Sequence, residues 1–240
     1  MSIFAVTSGK GGVGKSSVAA YTAAAFAAQG KRTLLIELGD DPRMLDIIVG
    51  TGREILFDIS DVIDGRCKPS DAIQQSCIDD KLFLLPGSLG VLESAPKTEI
   101  IESIISGSAS YYDHIVMDGL CFETVSPALA DAVVIVTTPD SLSVRACSAY
   151  AQGLRSRGVK GMRLVINAVP AKITPMLDLQ DFDSIVDQIG AQLLGVIPYS
   201  PILQYCSNNT EPLAADSMTA DVFENIAVRL LGQNRPLLVR

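Results

Sequence analysis

Residues 9–17 read Gly-Lys-Gly-Gly-Val-Gly-Lys-Ser-Ser, a run too rich in glycine to continue a strand or begin a helix on its own. A short β-rich run at 3–7 precedes it, and an alanine-rich stretch to Gln29, closed by Gly30, follows. Strand, loop, helix and stop are therefore laid out in order. Glycines let successive backbone N–H groups turn inward around one anion, and a helix that starts directly after them offers its positive N-terminal pole to the same anion. The spacing Gly9-x-x-x-x-Gly14-Lys15-Ser16 fits the phosphate-loop template, which belongs at the carboxyl end of a buried parallel strand.

The rest of the chain supplies such a sheet. Apolar runs recur at 33–38, 82–85, 115–117, 132–137, 164–169 and 194–197, with helical stretches between most of them. Continuous rather than alternating apolar runs predict strands covered on both faces, and the helices supply the crossovers that parallel strands need. We expect an α/β fold, a doubly wound and mostly parallel sheet with helices on both faces, forming one domain over residues 1–240. Ligands in such sheets bind outside the strands' carboxyl ends, so the glycine loop and the segments 37–41, 118–121 and 138–140 should share one face. Residues 167–179, with Pro170 and Pro175, read as a long loop.

Composition excludes several functions. With 48% hydrophobic and 19% charged residues the chain is no disordered tail, and a net charge of −8 disfavours direct binding to a nucleic-acid backbone. Arg155, Arg157 and Lys160 form the dense basic run and read as a solvated helix end. The five cysteines are scattered and never spaced as C-x-x-C, which fits free thiols in a reducing, cytoplasmic setting. No apolar window approaches the roughly 20 residues of a membrane span. His114 has no neighbouring ligands for a metal site and reads as a packed or edge histidine.

The loop chemistry assigns roles. The cofactor-binding candidates are Gly11, Gly12, Val13, Gly14, Lys15, Ser16 and Ser17, gripping ATP. Lys15 should reach the outer phosphates and Ser16 should place its hydroxyl on Mg2+. Asp118 ends an apolar strand beside the loop, where its carboxylate would hold Mg2+ through a water; a cap on the following helix is the simpler alternative.

Lys10, second in the loop, carries a more specific likeness. Lys10-Gly11-Gly12-Val13-Gly14-Lys15-Ser16 resembles the deviant Walker A box of the MinD/ParA ATPase family. The resemblance extends through Arg43 with Leu45-Asp46, Ile115-Val116-Met117-Asp118, Val144-Arg145, Gly195-Val196-Ile197-Pro198 and Glu211-Pro212, and is strongest toward the division-site branch. It implies a slowly hydrolysing ATPase that dimerises on ATP, with Lys10 crossing to the partner's nucleotide, and that regulates placement of a cellular assembly through a further protein partner. It also implies that Asn167 reads the adenine edge and that Pro198 packs near the base.

The chain departs from the family at three places. The hydrolytic aspartate of the first switch falls on Gly39, leaving Asp40 and Asp41 as catalytic candidates beside Lys10 and Lys15, and its companion becomes Glu37. Gly119-Leu120-Cys121 replaces the usual second-switch residues. No amphipathic helix is evident after residue 231, so contact with a membrane is expected only through a partner. Two alternatives stay open: a scaffold that binds nucleotide with degenerate hydrolysis, and a metabolic or metallocluster-carrier enzyme on the same fold.

Overall fold

A computed structural model of the chain describes residues 1–39, 43–90, 98–119, 126–171, 179–215 and 217–238. Its centre is an eight-stranded sheet in the order β3-β4-β2-β5-β1-β6-β7-β8. The strands are β1 (Ser2–Thr7), β2 (Thr33–Glu37), β3 (Gln74–Gln75), β4 (Leu82–Leu85), β5 (His114–Asp118), β6 (Ala132–Thr137), β7 (Met162–Val169) and β8 (Gln192–Pro198). All neighbours pair parallel except β3, which lies antiparallel on β4 at the edge.

The helices are α1 (Lys15–Ala28), α2 (Leu45–Val49), α3 (Ile59–Ile63), α4 (Pro69–Ala72), α5 (Thr98–Ser108), α6 (Ser141–Ser156), α7 (Phe182–Ile189), α8 (Pro201–Asn209) and α9 (Met218–Leu230). Alternate strand residues feed two cores. Phe4, Val6, Leu35, Val116, Val134 and Val165 pack under α1, α2, α8 and α9. Ala5, Leu34, Ile36, Ile115, Met117, Ile135 and Ile166 pack under α3 to α7. Every position of β2, β5 and β6 is buried because helices cover both faces of the sheet.

Three expectations change. β3 has no apolar run to announce it, because a two-residue edge strand buries little. The strand run expected at 164–169 is met by β7, so the loop read as beginning at 167 starts only after Val169, and residues 172–178 lie outside the described residues. Arg155 is not merely solvated: its guanidinium donates to the Ile189 and Gly190 carbonyls at 2.8 and 3.3 Å and so caps the C-terminus of α7.

His114 sits at the start of β5, 7% exposed, its ring 4.4 Å from that of Phe26 and 6.2 Å from that of Phe4. Neither ring nitrogen has a hydrogen-bond partner. Burial pushes its pKa down, outweighing the opposing pull of Asp113, while Lys31 and the N-terminal ammonium lower it further. The unfolded chain thus takes up a proton near pH 6.5 that the fold refuses. Stability held above that pH should decline as pH falls toward the folded-state value. Thermal melts at pH 7 and pH 5 should show a smaller fall in Tm for His114→Phe than for the parent chain; equal falls would contradict the assignment.

Candidate functional site

The carboxyl ends of β1, β2, β5, β6 and β7 bring the glycine loop, Glu37, Asp118, residues 138–140 and Asn167 to one edge of the sheet. Leaving β1, the backbone passes through Gly12 (φ 76°) and Gly14 (φ 89°), both left-handed, and enters α1 at Lys15. Gly14 is the helix N-cap and no side chain caps it, so the first-turn N–H groups face the loop's concavity. A side chain at Gly14 would overlap the Asn167 amide as well as strain the backbone. Gly9 is required for a different reason: a Cβ there would run into the α6 backbone at Ala146.

Lys15, Ser16 and Ser17 occupy the first turn of α1, half-buried, and Gly11 and Gly12 are exposed while Val13 is buried. Gly12, Gly14, Lys15, Ser16 and Ser17 form one wall of a cleft of about 310 Å³ whose other wall is Met44, Ile47, Ile48, Ser207 and Asn208. Clefts of about 370 Å³ between α1 and α9 and about 510 Å³ beside α4 and β3 are larger, but neither is lined by the glycine loop. Chemistry, rather than volume, singles out the loop.

Lys10 lies at the front of the loop and turns back onto its own chain. Its ammonium donates to Ser143 Oγ at 2.8 Å and lies 3.5 Å from Asp140 Oδ1. Asp140 caps α6 by accepting from the Ser143 N–H at 3.0 Å, and the Thr138 and Ser143 hydroxyls donate to its other oxygen at 2.5 and 2.6 Å. Burial alone would raise the Asp140 carboxyl, but the hydrogen bonds from Ser143 and Thr138, helped by Lys10, hold it well below the ordinary carboxylate range.

Asp118 ends β5, 4% exposed, in register with Glu37 of β2 on one side and Val6 of β1 on the other. Glu37 proves to be a bracket. One carboxylate oxygen accepts from the N–H groups of Met44 and Leu45 at 2.8 and 3.2 Å, where α2 begins; the other accepts from Gly87 at 2.9 Å. Burial raises its pKa against these hydrogen bonds. Arg43 closes the same corner on Asp46 at 2.9 Å. Asp40 and Asp41 lie outside the described residues, as do Leu120 and Cys121.

Asn167 is buried and donates from its amide to the Val13 carbonyl at 2.8 Å, so it braces the phosphate loop. A β-bulge between Ile166 and Val169, with Ala168 at φ 54°, sets its direction. Pro198 closes β8 opposite Val169 and lines a small cavity with Met218, Val222 and Leu238. Sequence reasoning placed residues 138–140 on this face but missed the network that Thr138, Asp140 and Ser143 form under Lys10, and the bracketing role of Glu37. A Thr-Pro-Asp step into a helix was the available signal for the first three.

Magnesium suits this donor set: a serine hydroxyl and a buried carboxylate are hard oxygen ligands, and in phosphate-loop sites phosphate and water complete the shell. No group of three or more His, Cys, Asp or Glu that could hold a metal ion occurs among the described residues.

Comparison with known proteins agrees with this geometry. The family described as CobQ/CobB/MinD/ParA nucleotide binding domain matches residues 4–213. The septum site-determining protein MinD of Bacillus subtilis is 31% identical over 244 residues, covering 98% of this chain and 90% of that protein. MinD of Neisseria meningitidis serogroup B is 31% identical over 261 residues, covering 98% and 93%. Among solved structures, the MinC:MinD cell division protein complex of Aquifex aeolicus superimposes with TM-score 0.87 at 28% identity, covering 100% of this chain and 99% of that one. MinD of Pyrococcus horikoshii complexed with Mg-ADP shares the fold, with TM-score 0.80 at 22% identity and 95% of each chain covered.

Glu37→Gln places an amide donor against one of three N–H groups and should lower unfolding free energy by about 1–3 kcal/mol. Urea unfolding measures this as a lower midpoint at unchanged slope, and an unshifted midpoint would show that the bracket contributes nothing.

Proposed function

The chain belongs to the CobQ/CobB/MinD/ParA family of nucleotide-binding domains, and on that premise we propose that it is a MinD-type ATPase, a nucleotide-driven switch regulating placement of the division site. The observation that carries the nucleotide half of this reading is the pair of left-handed glycines leading into a helix start that no side chain caps. The similarity to MinD proteins along almost the whole chain supports the division-site half and favours it over a degenerate scaffold or a metabolic or metallocluster-carrier enzyme.

In this reading residues 11–17 hold the polyphosphate of ATP through their amides, and Lys15 adds an ammonium to the outer phosphates. Ser16 and Asp118 hold magnesium, which when bound neutralises charge building on the transferred phosphate. Asn167 serves the base side of the site. Asp40 and Asp41 are the candidates for orienting the attacking water. Lys10, held by Ser143 and Asp140 in the single chain, crosses to a second copy's nucleotide when two copies meet face to face. A MinC-like regulatory protein is the proposed further partner.

Calorimetry with Mg-ATP at millimolar concentration should give a heat of binding, and its absence on folded protein would end this reading. Light scattering should report a dimer with Mg-ATP, a monomer with ADP, and a monomer for Lys10→Ala with either; a wild-type monomer in Mg-ATP removes the dimer switch. At least one of Asp40→Ala and Asp41→Ala should slow hydrolysis by about a hundredfold or more, the usual share of a positioned base. Unchanged rates in both would assign the role elsewhere.

A further inference from the structure

Among the described residues, two sets of contacts that share no residues hold the phosphate loop to the rest of the fold. In front, one stripe of α6 meets the segment that leaves β1. Tyr150 Oη lies 2.9 Å from Thr7 Oγ1, and Cys147 Sγ lies 3.3 Å from Ser8 Oγ while donating to the Val136 carbonyl at 3.4 Å. Gly9 lies against Ala146 and Tyr150 so closely that no side chain fits, and the Lys10 N–H donates to Ser8 Oγ at 3.1 Å. Positions 143, 147 and 150 fall on one face of the helix, so three successive contacts register the loop along α6. Behind, Val13 is buried in the other core and its carbonyl receives the Asn167 amide. Between the two lie Gly11 and Gly12, exposed, with nothing within 4 Å of a Cβ built on either.

We propose that the phosphate loop is two separately anchored halves joined at Gly11 and Gly12, and that Tyr150 and Cys147 are positioning residues for the front half, through which α6 sets where Lys10 lies. Tyr150 acts through Thr7 and Cys147 through Ser8; neither is assigned contact with nucleotide. The back half, with the amides that enter α1, takes its position from Asn167 and the β7 bulge. A shift of α6 therefore moves Lys10 without opening the amide cradle, and a shift of β7 does the reverse.

Hydrogen exchange on the nucleotide-free full chain tests this directly. Tyr150→Phe keeps the ring and removes the hydroxyl, and Thr7→Val removes its partner. Each should speed exchange across residues 8–10 by about 2- to 10-fold, the range of one hydrogen bond, and leave residues 14–18 unchanged. The double variant should add nothing beyond Tyr150→Phe alone. Asn167→Ala should show the opposite pattern. Equal acceleration of both halves by Tyr150→Phe, or of neither, overturns the proposal.

A second arm rests on the nucleotide-switch reading above. Tyr150→Phe should weaken Mg-ATP-dependent dimerisation by a similar factor while nucleotide affinity stays within about twofold, and an equal loss of both counts against separate anchors. If the wild-type chain does not dimerise, that reading fails, while the exchange pattern still decides the anchors.

Discussion

The start of α1 governs the architecture around it. A helix leaves its first N–H groups without partners inside the helix, and most helices answer that need with a side-chain cap. Asp140, Asp181, Ser200 and Ser217 do so for α6 to α9. Gly14 does not, and its left-handed conformation makes the loop and the helix one continuous surface of donors. The flanking strands then serve that surface: β5 delivers Asp118 beside it, β7 delivers Asn167 beneath it, and β6 leads into the Asp140 cap that receives Lys10.

The charges at this edge are divided by their surroundings. Asp140 is kept ionised by hydroxyl and amide donors and a half-exposed lysine, so the pair it forms with Lys10 is a modest, solvent-screened contact that can be exchanged for another. Glu37 sits in register with Asp118 but spends its oxygens on three backbone N–H groups. Its side chain is long enough for one carboxylate to tie the start of α2 to Gly87 in the loop after β4.

Much of this was legible in the residues. Seven of the eight strands were marked by apolar runs because a parallel sheet covered on both faces has no polar alternation to disguise it. The phosphate loop was legible because glycine spacing encodes backbone conformation directly, and Asp118 because it ends an apolar run. What escaped reading depended on distances between segments far apart in the chain. Nothing in a local window says that Tyr150 meets Thr7, that Glu37 reaches Gly87, or that a bulge at Ala168 turns Asn167 onto Val13. The polar two-residue β3 escaped for the opposite reason, having too little sequence of its own to carry a signal.

The alanines of α1 carry a mechanical consequence. Ala19, Ala20, Ala23 and Ala27 are fully enclosed, and Tyr21 and Phe26 lock the helix into α9 and the sheet on either side. At 1.5 Å per residue its 14 residues make a rod about 21 Å long, gripped along most of its length. Close-packed interiors do not yield gradually, so such a rod neither slips nor twists alone. Enclosed in this way, α1 is a beam running through the body rather than a strut resting on it, and its glycine end is backed by the packing behind it.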